Sequence, residues 1–130
     1  MVAIWRTGSC HCGAVAFDVL TDSPVQVEAC NCSICARTGF VHLIVPSAHF
    51  KLKQGGDNLA SYRFNTGVAN HTFCKTCGVK AFYTPRSNPD GVSVNANCFD
   101  DGQAPELIVT AFDGQNWEAN AAALAHKSKA

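Results

Sequence analysis

The chain has 130 residues with a formal net charge of zero, and 47% of its residues are apolar. This length and composition allow a single domain with its own hydrophobic core over residues 1–130. The ten basic residues are scattered, so neither a nucleic-acid-binding nor a membrane-binding surface is predicted. No apolar run approaches the ~20 residues of a membrane span. The first residues lack a signal-peptide pattern, and a reducing cytoplasm is therefore the predicted compartment.

Short runs of β-branched and aromatic residues between turn signals predict a mainly-β fold. The predicted strands, in chain order, are residues 13–20, 25–30, 40–45, 59–64, 71–73, 79–83, 92–98 and 107–110. Only residues 117–125 have helix-forming composition over a useful length. The prediction is a domain of short strands that ends in a short helix.

Cysteines are the most informative residues of this sequence. Seven of the eight lie in three short clusters, which are Cys10 with Cys12, then Cys30 with Cys32 and Cys35, then Cys74 with Cys77. Thiolates so close in sequence can reach one tetrahedral zinc ion, whereas disulfide partners are usually spread along a chain. The sequence therefore predicts zinc binding, with two sites.

The first and last clusters form a matched pair. Gly13 follows Cys12, and Gly78 follows Cys77. A glycine at this place supplies the positive φ that a tight turn around a metal often requires. We therefore predict one structural site of four sulfurs, which clamps an early turn of the chain to a late one.

The middle cluster supplies three thiolates and leaves one zinc position open, as in catalytic zinc sites. Cys98, a histidine or a neighbouring chain could instead supply a fourth ligand and make this site structural. Cys98 shares the inward face of a predicted strand with Val92, Val94 and Ala96, which favours a buried core thiol over a ligand.

Six polar residues are also considered for a role at the metal sites or in ligand binding. His42 lies in an apolar run and is expected to be structural, whereas His71, three residues before Cys74, is a candidate donor to a metal ligand. The predicted contacts to an anionic ligand are Arg37 and Thr38, directly after the middle cluster, and Arg86 and Asn88, in a polar loop.

Four ordered motifs resemble the glutathione-dependent formaldehyde-activating enzyme family. They are GSCHCG at 8–13, CNCSIC at 30–35, FCKTCG at 73–78 and NCFD at 97–100. The stretch 71–91 is similar to the catalytic-type domain of centromere protein V. The resemblance covers nearly the whole chain.

The resemblance implies a fold of the Mss4-like (β-tent) type with short antiparallel strands. It implies a structural zinc at Cys10, Cys12, Cys74 and Cys77, and a zinc linked to activity at Cys30, Cys32 and Cys35. The implied reaction is the condensation of glutathione with formaldehyde to S-hydroxymethylglutathione, a carbon–sulfur lyase activity. Because function belongs to a site and not to a fold, a non-catalytic zinc module that binds a thiol, a metal or a protein stays the alternative. The oligomeric state is not predicted.

Overall fold

Three β-sheets form the framework of the described part of the chain. The computed structural model describes residues 3–129. Its strands are β1 (Ile4–Ser9), β2 (Ala16–Thr21), β3 (Val25–Cys30), β4 (Val41–Pro46), β5 (Phe50–Gln54), β6 (Leu59–Tyr62), β7 (His71–Cys74), β8 (Phe82–Tyr83), β9 (Gly91–Asn95) and β10 (Leu107–Phe112). The predicted mainly-β class with a short C-terminal helix is confirmed.

The five-stranded sheet, in the order β10-β3-β4-β9-β8, carries most of the residues discussed below. Strands β1, β2 and β5 form a second sheet, and β6 pairs with β7. Strand β10 runs parallel to β3, with Phe112 opposite Cys30. Because parallel strands end at the same edge of a sheet, the turn after β10 lies beside the middle cysteine cluster.

The main core forms where strands bury alternate side chains. On β2 the burial alternates residue by residue, so that Phe17 and Val19 are fully buried. They pack with Val27, Leu43 and Val94 from the five-stranded sheet. A period of two residues is the pattern of a half-buried strand, so the packing follows from the sequence.

Among residues 3–129, two α-helices accompany the sheets, α1 (Ser33–Thr38) and α2 (Trp117–Asn120). Helix α2 continues as a 3₁₀-helix over Ala121–Ser128, and shorter 3₁₀-helices span Ser47–His49, Gly56–Asn58, Ala96–Cys98 and Gly114–Asn116. None of the described helices is long and apolar enough to cross a membrane.

Helix α1 corrects the expectation that only residues 117–125 are helical. The Cys32 sulfur caps this helix by accepting a hydrogen bond from the Cys35 backbone N–H at 3.5 Å. Gly39 ends it in the left-handed conformation, with φ of 68°. Six residues are too few for a periodic apolar pattern, so the caps alone mark this helix.

Candidate metal centres

The first candidate metal centre joins the first and last cysteine clusters. The sulfurs of Cys10, Cys12, Cys74 and Cys77 all lie within 4.8 Å of one another. The Cys12 sulfur is 3.7 Å from those of Cys10 and Cys74. Zinc with four Zn–S bonds of about 2.3 Å at tetrahedral angles separates its sulfurs by about 3.8 Å. The four side chains therefore fit a zinc ion.

Backbone amides support this first centre. Gly13 and Gly78 have φ of 83° and 76°, in agreement with the turns expected there. The N–H groups of Val15 and Thr76 donate to the sulfurs of Cys10 and Cys74, at 3.4 and 3.3 Å. Backbone hydrogen bonds from Cys77 and Thr76 lower the pKa of Cys74 to about 6, because they stabilise the thiolate.

The second candidate centre contains a histidine beside cysteines of the middle cluster. The ligand atoms of Cys30, Cys35 and His42 lie within 4.8 Å of one another, and Cys35 Sγ is 3.1 Å from His42 Nε2. Cys32 is not a member of this group, although its sulfur accepts from the Cys35 N–H at the start of α1. The donor atoms grouped at this centre are therefore two thiol sulfurs and one imidazole nitrogen, with the Cys32 thiol at the start of α1 beside them.

His42 is held firmly on the inner side of β4. It is 5% exposed, and its Nδ1 lies 3.0 Å from Ser93 Oγ and 3.3 Å from Tyr83 Oη. Burial, together with the charge of Lys80, lowers the pKa of His42 to about 4. A neutral, oriented imidazole is the form of histidine that binds metals.

A cavity of about 710 Å³ opens beside the second centre. Its walls include Glu28, Cys30, Cys32, Cys35, His42, His71, Tyr83, Arg86 and Trp117. This volume lies within the roughly 300–1,000 Å³ of small-molecule sites. The cavity is therefore large enough for a ligand in contact with the second centre.

Two side chains of opposite charge face this cavity. Glu28 is 4% exposed; its Oε2 accepts from Lys127 at 3.1 Å, and within residues 3–129 its Oε1 has no hydrogen-bond partner. Arg86 pairs with Glu118 at 2.9 Å, and its guanidinium lies 3.7 Å from the centre of the Trp117 ring. The cavity thus offers an anionic acceptor and a cationic donor.

The other residues predicted to contact an anionic ligand lie elsewhere. Arg37 and Thr38 are exposed on α1, and their side chains donate to the Ser33 and Ile34 carbonyls, each at 2.9 Å. Asn88 is 1% exposed and donates to the Leu124 carbonyl at 2.8 Å, which holds the C-terminal segment in place. Of the four residues, Arg86 alone lines the cavity among the residues described.

Cys98 belongs to neither group of possible metal ligands. It is half-buried at the end of a 3₁₀-helix and packs against the main core. Burial raises the pKa of its thiol to about 11, with a smaller effect of Cys10 and Cys77. These surroundings match the predicted core thiol.

His71 contacts a buried lysine instead of the first centre. Lys80 is 8% exposed and donates from Nζ to His71 Nδ1 at 2.6 Å, while Nζ lies 3.8 Å from the centre of the Tyr83 ring. Since an ammonium group only donates, His71 Nδ1 accepts, and the ring proton is on Nε2. Burial is the main cause that lowers the pKa of Lys80 to about 8.

The burial of Lys80 predicts that the stability of the wild type depends on pH in a way that Lys80→Met removes. Between pH 8 and the ordinary lysine value of 10.5, the unfolded chain keeps a proton that the folded protein releases. The free energy of unfolding of the wild type should therefore rise, relative to that of the variant, by about 2 kcal/mol across this range. Urea unfolding at several pH values measures it. Lys53→Met, at an exposed lysine, is the control, and parallel pH profiles for wild type and Lys80→Met would contradict the prediction.

Gly114, in the turn after β10, packs directly against the second centre. A Cβ atom at this position would collide with the Cys30 sulfur and with Cys32 Cβ. The sequence gives no sign of this contact, because the parallel pairing of β10 with β3 that brings residue 114 to Cys30 is visible only in the fold.

Gly114→Ala is therefore expected to weaken metal binding at the second centre by tenfold or more, with a loss of about 1–3 kcal/mol in stability from overpacking. Chelator competition and urea unfolding measure the two effects. Gly56→Ala is a matched control, since a Cβ atom there meets only Leu52 Cδ2 at 3.4 Å. Equal zinc affinities for the two variants would show that the close approach at Gly114 is unimportant.

The fold and its two cysteine-containing groups define a class of mainly-β protein with candidate metal sites. Residues 5–114 match the model of the glutathione-dependent formaldehyde-activating enzyme family, and the chain belongs to this family.

Two relatives give the scale of this similarity. A protein of Halomonas elongata named "Putative glutathione-dependent formaldehyde-activating enzyme" is 32% identical over an alignment 78 residues long, and the match covers 54% of this chain and 50% of that protein. The chain thus matches about half the length of this curated relative. A crystal structure of a Rhodobacter sphaeroides protein is 33% identical with a TM-score of 0.68, covering 80% of this chain and 99% of that one.

Proposed function

We propose that the chain is a zinc-dependent enzyme of the carbon–sulfur lyase class that adds a peptide thiol, such as glutathione, to formaldehyde. The observation that carries the proposal is the cavity, whose wall contains the second cysteine group. Membership of the family, and the name of its Halomonas elongata member, support this substrate pair.

The charges in the cavity suit a zwitterionic peptide thiol. Glutathione carries a carboxylate and an ammonium group on the glutamyl side of its thiol and a second carboxylate on the glycyl side. Arg86 can bind a carboxylate through two parallel N–H donors once its ion pair with Glu118 is broken. Glu28 Oε1, which lacks a partner among the described residues, can accept from the ammonium group.

The reaction joins the thiol sulfur to the aldehyde carbon. A C–S bond forms, the π electron pair of the carbonyl moves to its oxygen, and the proton released by sulfur ends on that oxygen. No electrons are gained or lost overall. His71 lines the cavity and has its proton on Nε2, which supports it as the hydrogen-bond donor to the carbonyl oxygen.

The middle cysteine cluster would supply the metal ligands Cys30, Cys32 and Cys35. A zinc ion bound there supplies positive charge that stabilises a thiolate or polarises a carbonyl. Helix α1 sets the positions of Cys32 and Cys35, and β3 sets that of Cys30. The four-sulfur centre would hold another zinc ion, with a structural role.

The test measures the rate of S-hydroxymethylglutathione formation by exchange spectroscopy, with the uncatalysed reaction subtracted. We expect the rate to rise in proportion to the concentration of zinc-loaded protein. Arg86→Gln should raise the glutathione concentration for half-maximal rate about tenfold, the effect of losing a charged hydrogen bond. It should leave the rate with 2-mercaptoethanol, which has no carboxylate, unchanged.

Arg37→Gln is the matched control, because Arg37 lies on α1 outside the cavity and should leave both rates unchanged. A wild-type protein that binds two zinc ions and adds nothing to the uncatalysed rate would contradict the enzyme proposal. The non-catalytic thiol-binding module would then take its place.

A further inference from the structure

The second centre has one more donor than the middle cysteine cluster provides. His42 Nε2 lies 3.1 Å from Cys35 Sγ and within 4.8 Å of Cys30 Sγ, whereas Cys32 is outside this group. We propose that Cys30, Cys35 and His42 are the permanent ligands of the second metal ion, and that Cys32 holds the exchangeable fourth position. The identity of the thiol that takes this position rests on the proposed function; the ligand set does not.

The surroundings of His42 fix its ring as those of metal-bound histidines are fixed. Ser93 Oγ and Tyr83 Oη lie next to Nδ1, at 3.0 and 3.3 Å. A proton on Nδ1 can be donated to either oxygen, which leaves the lone pair of Nε2 directed at the cysteines. Hydrogen bonding at the far nitrogen is the usual way in which proteins orient a ligating histidine.

Distances agree with this ligand set. A tetrahedral zinc ion with one Zn–S bond of about 2.3 Å and one Zn–N bond of about 2.05 Å separates the two donor atoms by about 3.6 Å. Cys35 Sγ and His42 Nε2 are 3.1 Å apart, so the two atoms need to separate by only about 0.5 Å to bind a zinc ion between them. Rotation of one side chain can supply it.

Charge also favours one imidazole and two thiolates. Zn²⁺ with two thiolates and a neutral histidine has no net charge, whereas Zn²⁺ with three thiolates carries one negative charge. Cys35 and His42 are 4% and 5% exposed, and a net charge is costly to remove from water. The three permanent ligands alone therefore form a neutral site, and the one negative charge is added by Cys32, which is half-buried and lines the cavity.

Cys32 differs from these three ligands in position. It precedes α1 as the N-cap residue, whereas Cys30 is the last residue of β3, Cys35 lies within α1 and His42 lies within β4. Like Cys30, it is half-buried and lines the cavity. A thiolate in this place can leave the metal, keep its hydrogen bond from the Cys35 N–H, and make room for a thiol that enters through the cavity.

The test compares two variants for which the two ligand sets predict opposite results. On the proposed set, His42→Gln weakens binding of the second zinc ion at least tenfold, and Cys32→Ser weakens it less. If three cysteines alone hold the metal, Cys32→Ser loses the second zinc ion and His42→Gln retains it. Chelator competition measures both affinities, and His71→Gln, at another histidine of the same cavity, is the control.

X-ray absorption at the zinc edge gives a second measurement that needs no variant. Wild-type protein with two zinc ions should show the outer-shell scattering of an imidazole, and His42→Gln should lose it. A second zinc ion bound without imidazole scattering, or a His42→Gln affinity within threefold of wild type, would overturn the proposal. Imidazole scattering in a protein that does not accelerate the thiol reaction would retain this ligand set and reject the proposed enzyme.

Discussion

Replacing Cys74 with serine is expected to unfold the protein instead of only emptying one metal site. Cys74 is 1% exposed, its sulfur belongs to the four-cysteine group, and it accepts hydrogen bonds from Thr76 N–H and Asn58 Nδ2, both at 3.3 Å. Structural zinc contributes about 10–16 kcal/mol to folding in small domains, which equals or exceeds the ~5–15 kcal/mol of net stability of a typical protein. Loss of a ligand should therefore remove the cooperative thermal transition.

Circular dichroism melts and zinc content measure this result. Cys98→Ala is the control, because Cys98 is outside both groups of possible ligands and should cost only about 1 kcal/mol. A soluble Cys74→Ser protein with an unchanged melting temperature and full zinc content would contradict the structural assignment of the four cysteines.

The grouping of the cysteines could be predicted from the sequence because it depends on local turns. The glycines after Cys12 and Cys77 distinguish these two pairs from the middle cluster, and the structure brings the two pairs together. Ala36 follows Cys35 where a glycine would be expected, and here the chain forms α1 instead of a turn. The presence or absence of a glycine after the last cysteine of a cluster therefore distinguishes the four-cysteine group from the middle cluster.

Strands with a periodic apolar pattern could also be predicted. The strand predicted at 25–30 has the bounds of β3, and the one at 40–45 differs from β4 by one residue at each end. Strands β1 and β5 were missed. In β1 the large hydrophobics Ile4 and Trp5 are adjacent and exposed, so no apolar alternation marks this strand. In β5 Phe50 and Leu52 do alternate with lysines, which is the pattern of a strand, so this edge strand could have been predicted.

The sequence could not show which residues of other strands lie at the second centre. His42 was expected to be structural because it lies in an apolar run, and only the β3–β4 pairing, with Glu28 opposite His42, brings it to this face. Glu28 could have been found, since it precedes Cys30 by two residues on a strand and so shares its face. Contacts that depend on strand pairing require the fold.

Replacing Cys35 with serine is expected to abolish zinc binding at the second centre and any thiol-dependent activity, while the fold is kept. Cys35 belongs both to the cysteine triplet and to the group that includes His42, so its loss damages either ligand set. Serine is a poor zinc ligand compared with a thiolate. The four-cysteine centre is untouched, and the melting temperature should fall by only a few degrees.

Zinc stoichiometry, thermal melts and the exchange-spectroscopy assay together separate the alternatives for Cys35→Ser. The expected outcome is one zinc ion per chain, a cooperative melt and a rate of adduct formation equal to that of the uncatalysed reaction. Cys98→Ser is the matched control, with the same chemical change at a half-buried thiol outside both groups, and it should keep two zinc ions and the wild-type rate. A Cys35→Ser protein that retains two zinc ions would exclude Cys35 as a ligand. One that loses the second zinc ion and still accelerates adduct formation would place the reaction away from this centre.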